Sequence, residues 1–122
     1  KIENSKKEVK IALVGKYMPP PEGVPPVTQW GDPETIKARL GAGIQDVTFD
    51  RRVMLNPSLS PQHSRRQFEE TSAPLIKLTQ ALEKENPAKL NEFRGALEAL
   101  MASYSRENYL HMSFLMTRGV KR

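Results

Sequence analysis

The placement of the ten prolines constrains this 122-residue chain more than any other feature. Proline lacks an N–H donor and locks φ, so it cannot sit inside a helix or a central strand. Pro19, Pro20, Pro21, Pro25, Pro26 and Pro33, with Gly23 and Gly31 among them, make residues 19–33 an extended loop of partly polyproline II character. Four helices are expected to open where a capping residue meets a proline. Asp32-Pro33-Glu34 supplies a cap, a proline for the first helical position and an acid in the first turn, so a helix is predicted from Pro33 to Leu40. Gly41 and Gly43 supply its left-handed stop. Ser60-Pro61 opens a helix to about Thr71, Ser72-Ala73-Pro74 one to Glu85, and Asn86-Pro87 a third with Leu90, Phe93, Leu97, Leu100 and Met101 on its apolar stripe.

Strands are expected where the apolar period drops to two. From Asp46 to Asn56, Val47, Phe49, Val53 and Leu55 share a face that Arg51 interrupts, and Asn56-Pro57-Ser58 ends the pattern. From Asn108 to Arg118, Leu110, Met112, Phe114 and Met116 alternate with Tyr109, His111, Ser113 and Thr117. The β-branched run from Val9 to Val14 predicts a third strand after a disordered start at residues 1–8. The fold class expected is α+β: one domain over residues 9–122, a small, mostly antiparallel sheet with strands near 9–14, 46–56 and 108–118, covered by three to four helices.

Composition narrows the chemistry. There is no cysteine, which removes disulfides, thiolate metal sites and cysteine nucleophiles. No apolar run approaches the roughly 20 residues of a membrane helix, and a soluble, cytoplasmic chain is expected. Net charge is +5, which favours nucleic acid or an acidic partner, but the acids are spread through the same segments and no nucleic-acid motif accompanies the charge.

The residues themselves carry a family likeness. Val14-Gly15-Lys16-Tyr17-Met18-Pro19-Pro20-Pro21-Glu22-Gly23-Val24-Pro25-Pro26, followed by Gln29-Trp30-Gly31-Asp32-Pro33-Glu34-Thr35-Ile36 and Arg39-Leu40, resembles the region after the fifth strand of small-molecule class I S-adenosylmethionine-dependent methyltransferases of the ubiquinone-biosynthesis type. Tyr109-Leu110 and Thr117-Arg118 resemble that family's terminal strand. The resemblance runs from about residue 14 to 122. It implies the C-terminal part of a Rossmann-like fold, with the strand at 46–56 beside the last strand and a helical insertion between them.

The family's cofactor site needs a glycine-rich turn after the first strand and an acid ending the next, and neither is present here. Leu40-Gly41-Ala42-Gly43 follows a predicted helix and reads as its stop. No cofactor is therefore expected for this chain alone. S-adenosylmethionine is implied only if a cofactor-binding half is supplied. A second likeness covers Lys6 to Tyr17, similar to the opening strand of the glutamine amidotransferase domain of CTP synthase. Glutaminase chemistry is excluded, because that family's nucleophile is a cysteine.

Candidate site residues are few, and no catalytic or metal set is recognisable. His63 and His111 are the only imidazoles, and neither has a second ligand at metal spacing. His63, beside Arg65 and Arg66, falls in the insertion that lines the substrate pocket of the methyltransferases. Tyr17 and Trp30 flank the proline-rich loop, where rigid segments make either ligand walls or packing anchors. The substrate-binding candidates are therefore Tyr17, Trp30, His63 and Arg66. The expected function is a remnant of a small-molecule methyltransferase, inactive alone and acting as a structural or substrate-side module. Its sheet is expected to be completed by homodimerisation or a partner chain. The alternative is a small basic binding protein for nucleic acid or an acidic partner.

Overall fold

The computed structural model describes residues 13–122. Four α-helices begin at, or in one case one residue ahead of, the expected prolines: α1 (Pro33–Leu40), α2 (Pro61–Thr71), α3 (Ala73–Glu85) and α4 (Pro87–Tyr104). The caps explain the starts. Asp32 accepts from the Thr35 N–H, Ser60 from that of His63 and Asn86 from that of Lys89, each satisfying a donor that has no partner within its helix. Ser72 precedes α3 without a side-chain cap bond, and its own N–H closes α2 on the Phe68 carbonyl at 2.9 Å.

Among the described residues there are three strands: β1 (Ile44–Pro57) and β3 (Tyr109–Lys121), which follow the period-two segments, and the short β2 (Ser105–Arg106). They form an antiparallel sheet in the order β1-β3-β2. The register runs from Pro57 opposite Tyr109 to Thr48 opposite Arg118, then shifts at a bulge between Gln45 and Thr48. Asp46 takes φ 52° in that bulge, a left-handed conformation that aspartate tolerates better than most residues. At the same end of the sheet Gly119 is required, because a Cβ there would run into the Ile44 side chain.

The core sits in the helical layer. Leu75, Leu78 and Leu82 of α3 pack with Leu90, Phe93, Leu97 and Met101 of α4, and only Leu110 at the head of β3 joins them from the sheet. Burying a side chain of this size contributes about 1.5–3 kcal/mol. The expected cover over the sheet is thus partial. Helices α2 to α4 reach the head of β3, while Val53, Met54 and Leu55 of β1 stay exposed. At the far end of the ribbon Lys37 of α1 lies 5.8 Å from the Phe49 ring centre, and Arg51 donates to the Gly31 carbonyl at 3.1 Å.

Several expectations are corrected. Among the described residues the third strand of the sheet is β2, and the strand expected near 9–14 falls largely outside them. Residues 9–12 lie outside the described residues, as does the 1–8 start, and residues 13–17 are helical, with the Met18 N–H donating to the Val14 carbonyl at 2.9 Å. Leu13, Val14, Tyr17 and Met18 recur at helical spacing and all pack against the α3/α4 core, which overrides the strand preference of β-branched residues. The loop at 19–33 is not extended throughout. Pro21 to Val24 form a turn closed by the Val24 N–H on the Pro21 carbonyl at 3.3 Å, with Gly23 at φ 80°. N–H donors resume at Val27, and a 3₁₀ turn forms over Val27–Gly31. Of the two glycines after α1 only Gly41 has positive φ (59°, with ψ −156°), a region open essentially to glycine alone.

Candidate functional site

Local chemistry at the end of α4 builds a concave surface. The helix stops at Tyr104, β2 pairs Ser105 with Leu110 and Arg106 with Tyr109, and the chain reverses through Glu107 and Asn108 at φ 53° and 61°. Two consecutive left-handed residues make the tight hairpin turn whose twist matches the flanking strands. Behind this hairpin lies a cavity of about 410 Å³. Its apolar wall comes from Phe68, Leu97, Leu100, Met101, Leu110 and Met112. Tyr104, Arg106, His111 and Ser113 supply polar groups on one side. Such a lining suits an apolar molecule carrying a polar or anionic end.

A charged network holds the helices that form this wall. Arg94 of α4 grips Glu69 of α2 with two nitrogens, each at 2.9 Å. Arg65 reaches Glu69 at 3.0 Å and Glu98 at 2.6 Å, and Gln62 donates to Glu98 at 3.2 Å. Burial pushes the Glu69 carboxyl up, but hydrogen bonds from Arg94 and Arg65 outweigh it and hold the group below the usual carboxylate range. Burial likewise opposes the charge on Arg65, and its bonds to Glu98 and Glu69 raise it above the ordinary guanidinium value. Beside the network, the buried Ser58 and Ser64 hydroxyls bond each other where β1 turns into α2, and the Ser58 N–H donates to Asn108 at 2.8 Å.

The residues singled out in the sequence lie elsewhere. Tyr17 packs edge-on against Phe93 with ring centres 5.3 Å apart and donates its hydroxyl to Glu92 at 2.8 Å. That bond, then burial and the Glu92 charge, raises the Tyr17 pKa above its ordinary value. Trp30 is 55% exposed and stacks on the Arg39 guanidinium, 4.8 Å from its ring centre. His63 accepts from the Leu59 N–H through Nδ1 at 3.3 Å, a local bond at the start of α2. Arg66 is exposed on the same helix. None of the four lines the cavity, and no hydrogen bond or ring contact among the described residues joins any two of them.

The cavity residues Arg106 and His111 were not legible as a site, because the hairpin that brings them to α4 has no Asn-Gly or Asp-Gly turn to announce it. Among the described residues no group of three His, Cys, Asp or Glu side chains is placed to hold a metal ion, and no helix is long and apolar enough to cross a membrane. No family model matches this chain, and neither a curated protein nor a solved structure matches it.

Proposed function

We propose that this chain is the substrate-side part of a methyltransferase-like protein, a module that holds a small apolar molecule and performs no methyl transfer until a cofactor-binding half is supplied. The cavity at the head of β3 carries the reading: an apolar wall with a few polar groups stands beside a sheet that stops short, since β2 meets β3 only at Tyr109 and Leu110. The family likeness of residues 14–122 supports it, as does the lack of a glycine-rich strand-to-helix turn in the sequence. Completion of the sheet across chains, by a second copy or another polypeptide, belongs to the same reading.

Calorimetry tests it. Titration with S-adenosylmethionine is expected to release no binding heat, whereas an apolar anionic dye such as anilinonaphthalene sulfonate is expected to bind and to be displaced when Met101→Trp fills the cavity. Tight binding of S-adenosylmethionine to the isolated chain overturns the proposal. The second reading, a basic binding protein, is favoured by one observation: exposed Trp30 stacks on Arg39 with Arg51 anchored at Gly31 nearby. Binding to generic single-stranded DNA that weakens steeply with salt and is lost in Trp30→Ala distinguishes it.

A further inference from the structure

The two outer edges of the sheet are built differently. The β1 edge carries the devices that keep edges from pairing: a bulge at Gln45 to Thr48, the charged run Asp50-Arg51-Arg52, and Pro57 at its end. Along β3, β2 covers only Tyr109 and Leu110. From His111 to Thr117 the strand has no lysine, arginine, carboxylate, proline or glycine, and its register with β1 is unbroken.

The direction of the main-chain groups follows from one bond. The Ser58 N–H donates to the Asn108 carbonyl, and in an antiparallel ladder the bonding residues alternate. Even-numbered residues of β3 therefore bond β1, while His111, Ser113, Leu115 and Thr117 turn their N–H and C=O groups to the other side. Among the described residues no backbone group meets them there.

We infer that this edge pairs with the same edge of a second copy, antiparallel about a two-fold axis near Leu115, so that the sheet continues through both chains. The inference rests on the reading above that the sheet is completed across chains, and it names the partner. Self-pairing fits the residues. A two-fold joint places Phe114 of one copy near Met116 of the other and Ser113 near Thr117, both favourable cross-strand neighbours. Across residues 111–119 it opposes no like charges, because Arg118 of each copy faces Met112 of the other, while residues 120–122 must turn aside from the partner's β2, which holds the edge at Tyr109 and Leu110. The edge is short, about 23 Å at roughly 3.3 Å per residue, so the dimer is expected to depend on concentration.

Sedimentation equilibrium and amide exchange on the full chain, from micromolar to millimolar concentration, test this. Monomer and dimer are expected to interconvert, with the Ser113, Leu115 and Thr117 amides gaining protection as concentration rises while Arg51 and Val53 do not. Leu115→Pro removes only an outward N–H, and Thr117→Lys places a charge on the edge. Each is expected to weaken association tenfold or more with an unchanged circular dichroism spectrum and melting temperature. Thr117→Lys alone decides the matter should Leu115→Pro not fold, and Arg51→Pro, the equivalent change on the β1 edge, is expected to leave association intact. A chain that stays monomeric at millimolar concentration, a dimer that survives Thr117→Lys, or protection that appears on β1 instead overturns the inference. Ligand calorimetry on the same samples reads the cavity separately, so a monomer that binds the dye and not S-adenosylmethionine sinks the self-pairing while leaving the proposed function standing.

Discussion

The helical layer and the β1/β3 ribbon are made from similar apolar residues and bury them to very different extents. In α3 and α4, Leu75, Leu78, Phe93 and Leu97 are 0–2% exposed, whereas Val53, Met54 and Leu55 of β1 are 46–53% exposed. The difference lies in layers, since a helix pair closes a core between its own stripes while a two-stranded ribbon has two faces and two edges to cover. Helices α2 to α4 share one core, and Arg65, Glu69, Arg94 and Glu98 tie α2 to α4. The ribbon leans on that unit at Leu110 and Met112.

The sharpest test of the contrast is Phe93→Ala, which empties the centre of the layer and is expected to cost about 3–5 kcal/mol in urea unfolding. A cost below about 1 kcal/mol would mean the core lies elsewhere. Next in size is Glu69→Gln, which leaves Arg65 and Arg94 without their shared carboxylate and is expected to cost about 1–2 kcal/mol, less than a fully buried pair because Arg94 is partly exposed.

Acid titration examines the same group. The folded state holds the Glu69 carboxyl below its unfolded value. Its contribution is therefore complete above that unfolded value of about 4.3 and is lost as pH falls through the lower, folded one. Melting temperature should drop in that acid window, and less so in Glu69→Gln. An equal drop in both proteins assigns the acid sensitivity to other carboxylates.

Asp32→Ala removes the α1 cap and is expected to destabilise α1 locally, felt as faster exchange at α1 and not in α4. The acceptor it removes is held below the usual carboxylate range by the Thr35 hydroxyl and then its N–H. Smallest of all is Leu55→Ala on the monomer, within about 0.5 kcal/mol. A loss approaching that of Phe93→Ala would show that the ribbon face is covered in solution and would break the comparison.

Much of the fold was written in short-range chemistry. The helix starts at 33, 61 and 87 follow from a capping side chain beside a proline, a signal that needs no knowledge of distant residues, and the alternation in β1 and β3 is equally local. The two-residue β2 was missed because a strand so short has no periodicity, and the turn at Glu107-Asn108 takes left-handed angles without the glycine that marks such turns. The segment at 13–17 was misjudged because Leu13 and Val14 suit a strand in isolation and become helical only against α3 and α4. The cavity was invisible for the same reason: Val53 of β1 and Phe68 of α2 join residues 97–113 only through the tertiary fold.

By itself, then, the order of residues determined the α+β class, the starts of α1 to α4 and the two long alternating segments, because caps, prolines and period-two patterning act over a few residues. Only tertiary structure decided that the helices pack mainly on one another, that β3 and not β1 is the central strand, and that Arg106 and His111 share a cavity while Trp30 and His63 do not. Those outcomes depend on which apolar surfaces find each other across tens of residues, a competition that no local pattern records.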